Sequence, residues 1–377
     1  MKSLSKLLFK IILGLFILLT IPNYYSVIYK FNKGHKFEGE QFYNPYANIN
    51  GTWIKANLHA HARAYAGASK GENTAKEMLH KYDSLKYYLA CISNYNFVQD
   101  SIPGHNYLPV YEHGFNWLWV HQNVINETQA RPFDFPFLQL RSNKQFMINR
   151  LKSKDNLISL NHPNHKRAYK NSDLKYLNNY DLIEGISEFA KSIKQWDSVL
   201  SHGHAVWIVG NDDSHDLSDY HVGICWNMIH VDTINNESIL QSLQKGASYA
   251  TKGWLGQEMN RVKAVKVEDG FFKLKLRNKA DSITLISDNG VIVAMASKVD
   301  TLSYKIKTEN TYLRTEIFET EPWNGYTKMY LNPVIRTNSE KLIQHNNTNE
   351  ISYFLSGLYW SVLFLLHAVI ILLIFKW

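Results

Sequence analysis

The chain's 377 residues are 45% apolar and 20% charged, a globular balance that excludes a disordered polymer. Lys and Arg (41) outnumber Asp and Glu (33), and the resulting net charge of +8 suits an anionic ligand or a membrane surface. No Lys/Arg block is long enough to track a nucleic acid, so no nucleic-acid partner is expected, and two cysteines are too few for a disulfide framework.

Residues 7–21 are apolar apart from Lys10, with Lys2 and Lys6 ahead and Ile21-Pro-Asn-Tyr-Tyr behind. No small-x-small cleavage site follows, so residues 1–30 are expected to form an uncleaved signal anchor. Residues 31–52 are polar and aromatic and read as a linker. Between 53 and 258, short apolar strands alternate with helices. Strands are expected at 53–59, 88–94, 107–111, 120–125, 156–161, 181–186 and 205–210, and helices at 73–87, 143–153, 172–179, 192–201 and 237–245. Repeated strand-then-helix units predict a mostly parallel α/β sheet, and this many predict a TIM-like barrel with its site at the C-terminal strand ends. Cys91 and Cys225 lie in apolar strand-like runs and read as small buried hydrophobes.

Over 259–337 short alternating runs such as Phe271-Phe-Lys-Leu-Lys-Leu are separated by turn signals (Glu268-Asp-Gly, Asp288-Asn-Gly), which predicts a small all-β sandwich. Residues 338–350 are a second polar linker. Residues 351–377 are apolar, with Tyr359, Trp360 and His367 inside the run and Lys376-Trp377 closing it, and are long enough to cross a bilayer. Two spans place both termini on one side of the membrane and the soluble domains on the other, expected to be the extracytoplasmic one.

The strand ends carry the chemistry. Strand 53–59 delivers His59 and His61, which alternation brings to one side of an extended segment. Strand 88–94 delivers Asn94 and Tyr95; strand 107–111 is followed by Glu112 and His113; His121 opens the next strand; strand 156–161 is followed by His162-Pro163; strand 205–210 is followed by Asn211-Asp212-Asp213-Ser-His215. Singly, each has an ordinary structural role: a buried strand histidine, a turn, a helix cap. Jointly, five strands supply a ligand type at the same end, and imidazoles mixed with carboxylates suit zinc, manganese or iron.

The order His-x-His, Glu after a strand, His, His-Pro, Asp-x-His resembles that of the polymerase and histidinol phosphatase (PHP) domain family over residues 53–258. Ile239-Leu-Gln-Ser-Leu-Gln-Lys-Gly resembles its closing helix-then-Gly segment. The resemblance implies a distorted (β/α)7 barrel and a metal-dependent phosphoesterase with up to three ions. It implies that His59, His61 and Asp213 hold the first metal, that Glu112 bridges to a second completed by His121 and His162, and that His215 matches a ligand of the third. The chain departs from the pattern twice. Arg63-Ala-Tyr-Ala-Gly-Ala-Ser69 holds neither Asp nor His after the first motif, and Asn94-Tyr95 stands where the family has Asp-His.

A two-metal site is therefore expected, acting on a phosphorylated small molecule or polymer. His215 and Tyr95 are candidate catalytic groups for hydrogen bonding or leaving-group protonation. Arg63, Lys166 and Arg167, just past ligand-bearing strand ends, are candidate phosphate-binding cations. Tyr65, Trp117 and Trp254 are candidate pocket walls. Two alternatives stay open: a hydrolase of non-phosphate esters or amides, and a membrane-held binding or assembly module whose weakened site no longer turns over.

Overall fold

The protein is described from a computed structural model, over residues 2–253, 261–321, 325–339 and 349–376; Trp254 and Trp377 lie outside these described residues. Helix α1 (Lys2–Thr20) leads into short strands β1 (Tyr29–Lys30) and β2 (Gln41–Tyr43), then β3 (Thr52–Asn57). There follow α2 (Ala75–Ser84), β4 (Leu89–Ala90), β5 (Val110–His113), β6 (Gln122–Ile125), α3 (Arg141–Leu151), β7 (Leu157–Leu160), α4 (Asn171–Leu174), β8 (Leu182–Ile186), α5 (Ile193–Leu200) and β9 (Trp207–Gly210). Next come β10 (Cys225–Val231), α6 (Asn236–Lys245), β11 (Ser248–Lys252), β12 (Val262–Glu268), β13 (Phe271–Ser287), β14 (Val291–Lys305), β15 (Tyr312–Glu321), β16 (Gly325–Thr337), β17 (Glu350–Ile351) and α7 (Tyr353–Lys376).

Local chemistry sets the helix ends. Thr74 Oγ1 accepts from the Glu77 amide at 3.3 Å while the Glu77 carboxylate accepts from the Thr74 amide at 2.7 Å, a reciprocal capping box that starts α2. Asn235 Oδ1 accepts from the Ser238 amide at the start of α6, and Gly246 ends that helix at φ +76°, a left-handed position that favours glycine.

The strands form three sheets, a short β1–β17 pair and two larger open sheets, so the distorted (β/α)7 barrel expected from the sequence is not found closed. β5–β6–β7–β8–β9 make one sheet; β4–β3–β10–β11–β16 continue into β15, β13 and β12 in the other. Among the described strands, β3–β4, β7–β8 and β8–β9 pair in parallel, whereas β5–β6–β7 and β3–β10–β11–β16 are antiparallel. The physical reason is connectivity. β5 and β6 are joined without an intervening helix, so the chain reverses directly and parallel pairing is impossible there. The expected separate sandwich is corrected likewise: β12–β16 are hydrogen-bonded into the same sheet as β3, β4, β10 and β11, because β16 covers the edge of β11 (Tyr249 against Leu331).

Cys91 and Cys225 are buried free thiols. Helices α1 and α7 are long and apolar enough to cross a membrane by length and composition. Their apolar side chains face outward, Phe364 at 64% and Leu372 at 68% exposure. Between them His367 is held by the Thr20 hydroxyl (2.8 Å) and the Tyr24 hydroxyl (3.1 Å).

Candidate metal centre

A scaffold of buried amides fixes the strand ends. Asn211 Oδ1 accepts from the Leu58 amide and Asn123 Nδ2 donates to the Leu58 carbonyl, pinning the segment that carries His59. Asn57 Nδ2 donates to the His59 carbonyl and Asn57 Oδ1 accepts from the Asp212 amide, so the first and last motifs are tied together. Ala60 and Ser214 pair as a parallel bridge, and Tyr95 pairs with Glu112 in the same way. Three non-glycine residues at the rim, His162 (φ 29°), Asp213 (φ 53°) and Trp119 (φ 58°), adopt left-handed backbone, a strain concentrated where side chains must be aimed.

Six side chains converge. His59 Nε2, His61 Nε2 and Asp213 Oδ1 form a triangle with edges of 3.2, 3.1 and 3.2 Å. Ligands at about 2.0–2.1 Å from a tetrahedral ion stand about 3.3 Å apart, so the triangle matches three corners of such a shell. Glu112 Oε1 lies 3.1 Å from His121 Nδ1 and 3.3 Å from His162 Nε2, while Oε2 lies 3.3 Å from His61 Nε2. The Glu112 carboxylate thus stands between the two histidine pairs. His59 Nδ1 faces Glu184 Oε1 at 3.0 Å, and with the proton placed there the Nε2 lone pair points into the cluster. Glu112 Oε2 and Asp213 Oδ1 are buried and have no hydrogen-bond partner despite the ring nitrogens beside them. Buried acceptors gathered around an unbridged centre fit divalent ions.

The electrostatics agree. Burial acts to raise the Asp213 carboxyl, but His59, His61, His215 and His162 outweigh it and hold it below the ordinary range. Glu112 is likewise held low by His121, His59 and His162 against its burial. Burial would lower His59, yet Asp213, Glu112 and Glu184 push it well up. Burial, then Glu112 and Asp213, push the Tyr95 hydroxyl far up, so it stays protonated. Burial and the neighbouring His61 push His215 down to about 4.

The other sequence candidates divide. Tyr95 stacks on His61 (4.6 Å between centroids), and His215 stacks on His61 at 4.3 Å with its Nδ1 2.8 Å from the Asp213 carbonyl. Both line a cavity of about 470 Å³ over the cluster, together with Lys166. His61, Asp213 and His215 also group closely enough to hold an ion. Arg63 and Arg167 do not line this cavity: both are exposed, and the Arg63 guanidinium is engaged by the Glu72 carbonyl, to which it donates. Asn94 is structural, its Oδ1 accepting from the Ala62 amide at 2.8 Å.

Sequence reasoning missed Glu184, which also accepts from Asn211 Nδ2 and the His162 amide. It missed Asn161, whose Nδ2 donates to Glu112 Oε1 at 2.9 Å. It also missed Lys70 and Trp119 in the cavity wall. The signal for Glu184 was a lone carboxylate in the apolar run Leu-Ile-Glu-Gly-Ile.

No family model and no curated protein matches the chain. Three solved structures are similar to it. One is a two-domain protein from Bacteroides vulgatus containing a predicted PHP-like metal-dependent phosphoesterase (11% identity, TM-score 0.40, 76% of this chain and 94% of that one). Another is PsfC from Pseudomonas syringae (11%, 0.37, 51% and 87%), and a third is the lesion-specific endonuclease EndoQ from Pyrococcus furiosus (15%, 0.35, 51% and 56%).

Proposed function

We propose that the protein is a membrane-anchored, metal-dependent phosphoesterase of the PHP type, with α1 and α7 as spans and the remaining chain on the extracytoplasmic side. The observation that carries this reading is the Glu112 carboxylate lying between His59–His61 on one side and His121–His162 on the other. His59, His61 and Asp213 would hold one divalent ion (Zn, Mn or Fe), His121 and His162 a second, with Glu112 shared. Ions so held supply Lewis acidity and an acidified water at neutral pH.

The chain's own residues do the rest. Lys166 offers an ammonium to a phosphate oxygen at the cavity wall. Water oxygen bonds to phosphorus as the ester P–O bond breaks, and the departing oxygen takes a proton. Tyr95, protonated throughout the working range, can donate a hydrogen bond to that oxygen. His215, neutral at pH 7, is a hydrogen-bonding partner and a poor acid.

The test is hydrolysis of p-nitrophenyl phosphate and bis-p-nitrophenyl phosphate by the full chain with Mn, Zn or Fe, alongside metal analysis. Turnover that is lost in Glu112→Gln and Asp213→Asn is expected, with two ions per chain. A folded, metal-loaded protein inert to phosphate esters overturns the reading, and three tightly held ions overturn the two-metal assignment.

A further inference from the structure

The cavity over the candidate metal centre adjoins a second, of about 1,020 Å³, that shares the walls Lys70, Tyr95, Trp119 and Lys166 with it and reaches Leu19 in the last turn of α1. Its remaining walls include Tyr65, Phe115, Trp117 and Phe137. Phe115 and Trp117 are 77% and 79% exposed, a large uncovered aromatic surface for a polar solvent to meet. This surface is continuous with the apolar helix: the Phe137 ring sits edge-on to Phe16 of α1, with centroids 5.8 Å apart. At the junction of the two cavities, Trp119 is flanked by the Lys70 ammonium at 4.4 Å and the Lys166 ammonium at 3.9 Å from its ring. The order of surfaces is therefore metal donors, then two cations, then aromatic wall, then apolar helix.

That order is the polarity of an amphiphile with an anionic head. Resting on the phosphoesterase reading above, we propose that the substrate is a membrane lipid carrying a phosphate ester, its head at Lys70 and Lys166 and its hydrocarbon chain in the groove toward α1. A water-soluble phosphate would fill the inner cavity and leave Phe115 and Trp117 bare. A hydrocarbon chain leaving the bilayer beside Leu19 covers them, which is favourable in proportion to the apolar area removed from water.

The experiment places the full chain in phosphatidylcholine nanodiscs with phosphatidic acid carrying a diazirine on its acyl chain, and maps photo-adducts by mass spectrometry. Adducts on Phe115–Trp119 and Phe137, displaced by unlabelled phosphatidic acid, are expected. Adducts confined to α1 and α7, or equal labelling by diazirine phosphatidylcholine, overturn the proposal. The second arm measures turnover with metal added. Phe137→Asp, and separately Phe115→Ser at the exposed rim, are expected to lower kcat/KM for phosphatidic acid about tenfold more than for p-nitrophenyl phosphate, as lost hydrocarbon contacts in a pocket do. Equal losses on both substrates overturn the lipid assignment. Groove adducts in a protein that hydrolyses no phosphate ester uphold the lipid site and sink the phosphoesterase reading alone.

Discussion

Glu184 shows how much of a candidate metal centre lies outside the residues proposed to ligate it. Its Oε1 meets His59 Nδ1 and Asn211 Nδ2 while Oε2 accepts from the His162 amide, so one buried carboxylate orients residues of both histidine pairs. Glu184→Gln is expected to weaken metal binding about 10–100-fold in a folded protein, read by competition with a chromophoric chelator. Proton traffic gives a second prediction. Without metal, His59, His61 and His162 have folded pKa values raised above 6.5, the nearby carboxylates outweighing their burial. Groups raised in this way stabilise the fold below pH 6.5 and lose that contribution as pH rises through their folded values. Metal-free protein is therefore expected to melt at falling temperature as pH climbs above neutrality, whereas metal-loaded protein is not. Loading should release protons, visible as a buffer-dependent heat in titration calorimetry.

At the scale of elements, several strand and helix positions were legible because apolar runs and caps are local. Others were not: the expected helix 172–179 is only Asn171–Leu174, the expected strand 88–94 only Leu89–Ala90, and β10 and β11 were not among the expected strands. The expected strand 181–186 is found at Leu182–Ile186 and the expected helix 237–245 at Asn236–Lys245. Strand direction was not legible, since a run such as Gln122–Ile125 carries no mark of which neighbour it will meet or which way that neighbour runs. The order of chemical residues along the chain was readable for the same local reason. The cavity walls were not, because Lys70 and Trp119 meet only through the fold. Gly246 tests an element boundary. It needs φ +76°, and a Cβ there would stand 2.5 Å from the Trp207 ring. Gly246→Ala is expected to cost about 1–3 kcal/mol by overpacking and left-handed strain, measured as a lowered urea midpoint at unchanged m.

Across the whole molecule, the α/β part and the C-terminal strands are fused electrostatically as well as by β11–β16 pairing. Arg314, 2% exposed, donates from Nε and Nη2 to the two carboxylate oxygens of Asp197 at 2.6 and 2.8 Å, and from Nη1 to Glu316 at 2.7 Å. Burial works against the guanidinium's charge, but hydrogen bonding and Coulomb attraction from Asp197 and Glu316 outweigh it and keep the group charged. Arg314→Met strands Asp197 in a buried setting and is expected to destabilise by about 3–5 kcal/mol, with a single unfolding transition for both parts in calorimetry. Two separated transitions would show that the two parts melt as independent units.

The same fusion reaches the N-terminal segment. β2 pairs with β16, and Arg336 Nη1 donates to the Gly39 carbonyl 297 positions away. A ribosome adding roughly 5–20 residues per second needs some tens of seconds between these two pieces of chain. During that interval the nascent Gln41–Tyr43 segment has no mate. Premature pairing with another molecule, or a chaperone holding the early chain, thus becomes a question of biosynthetic timing.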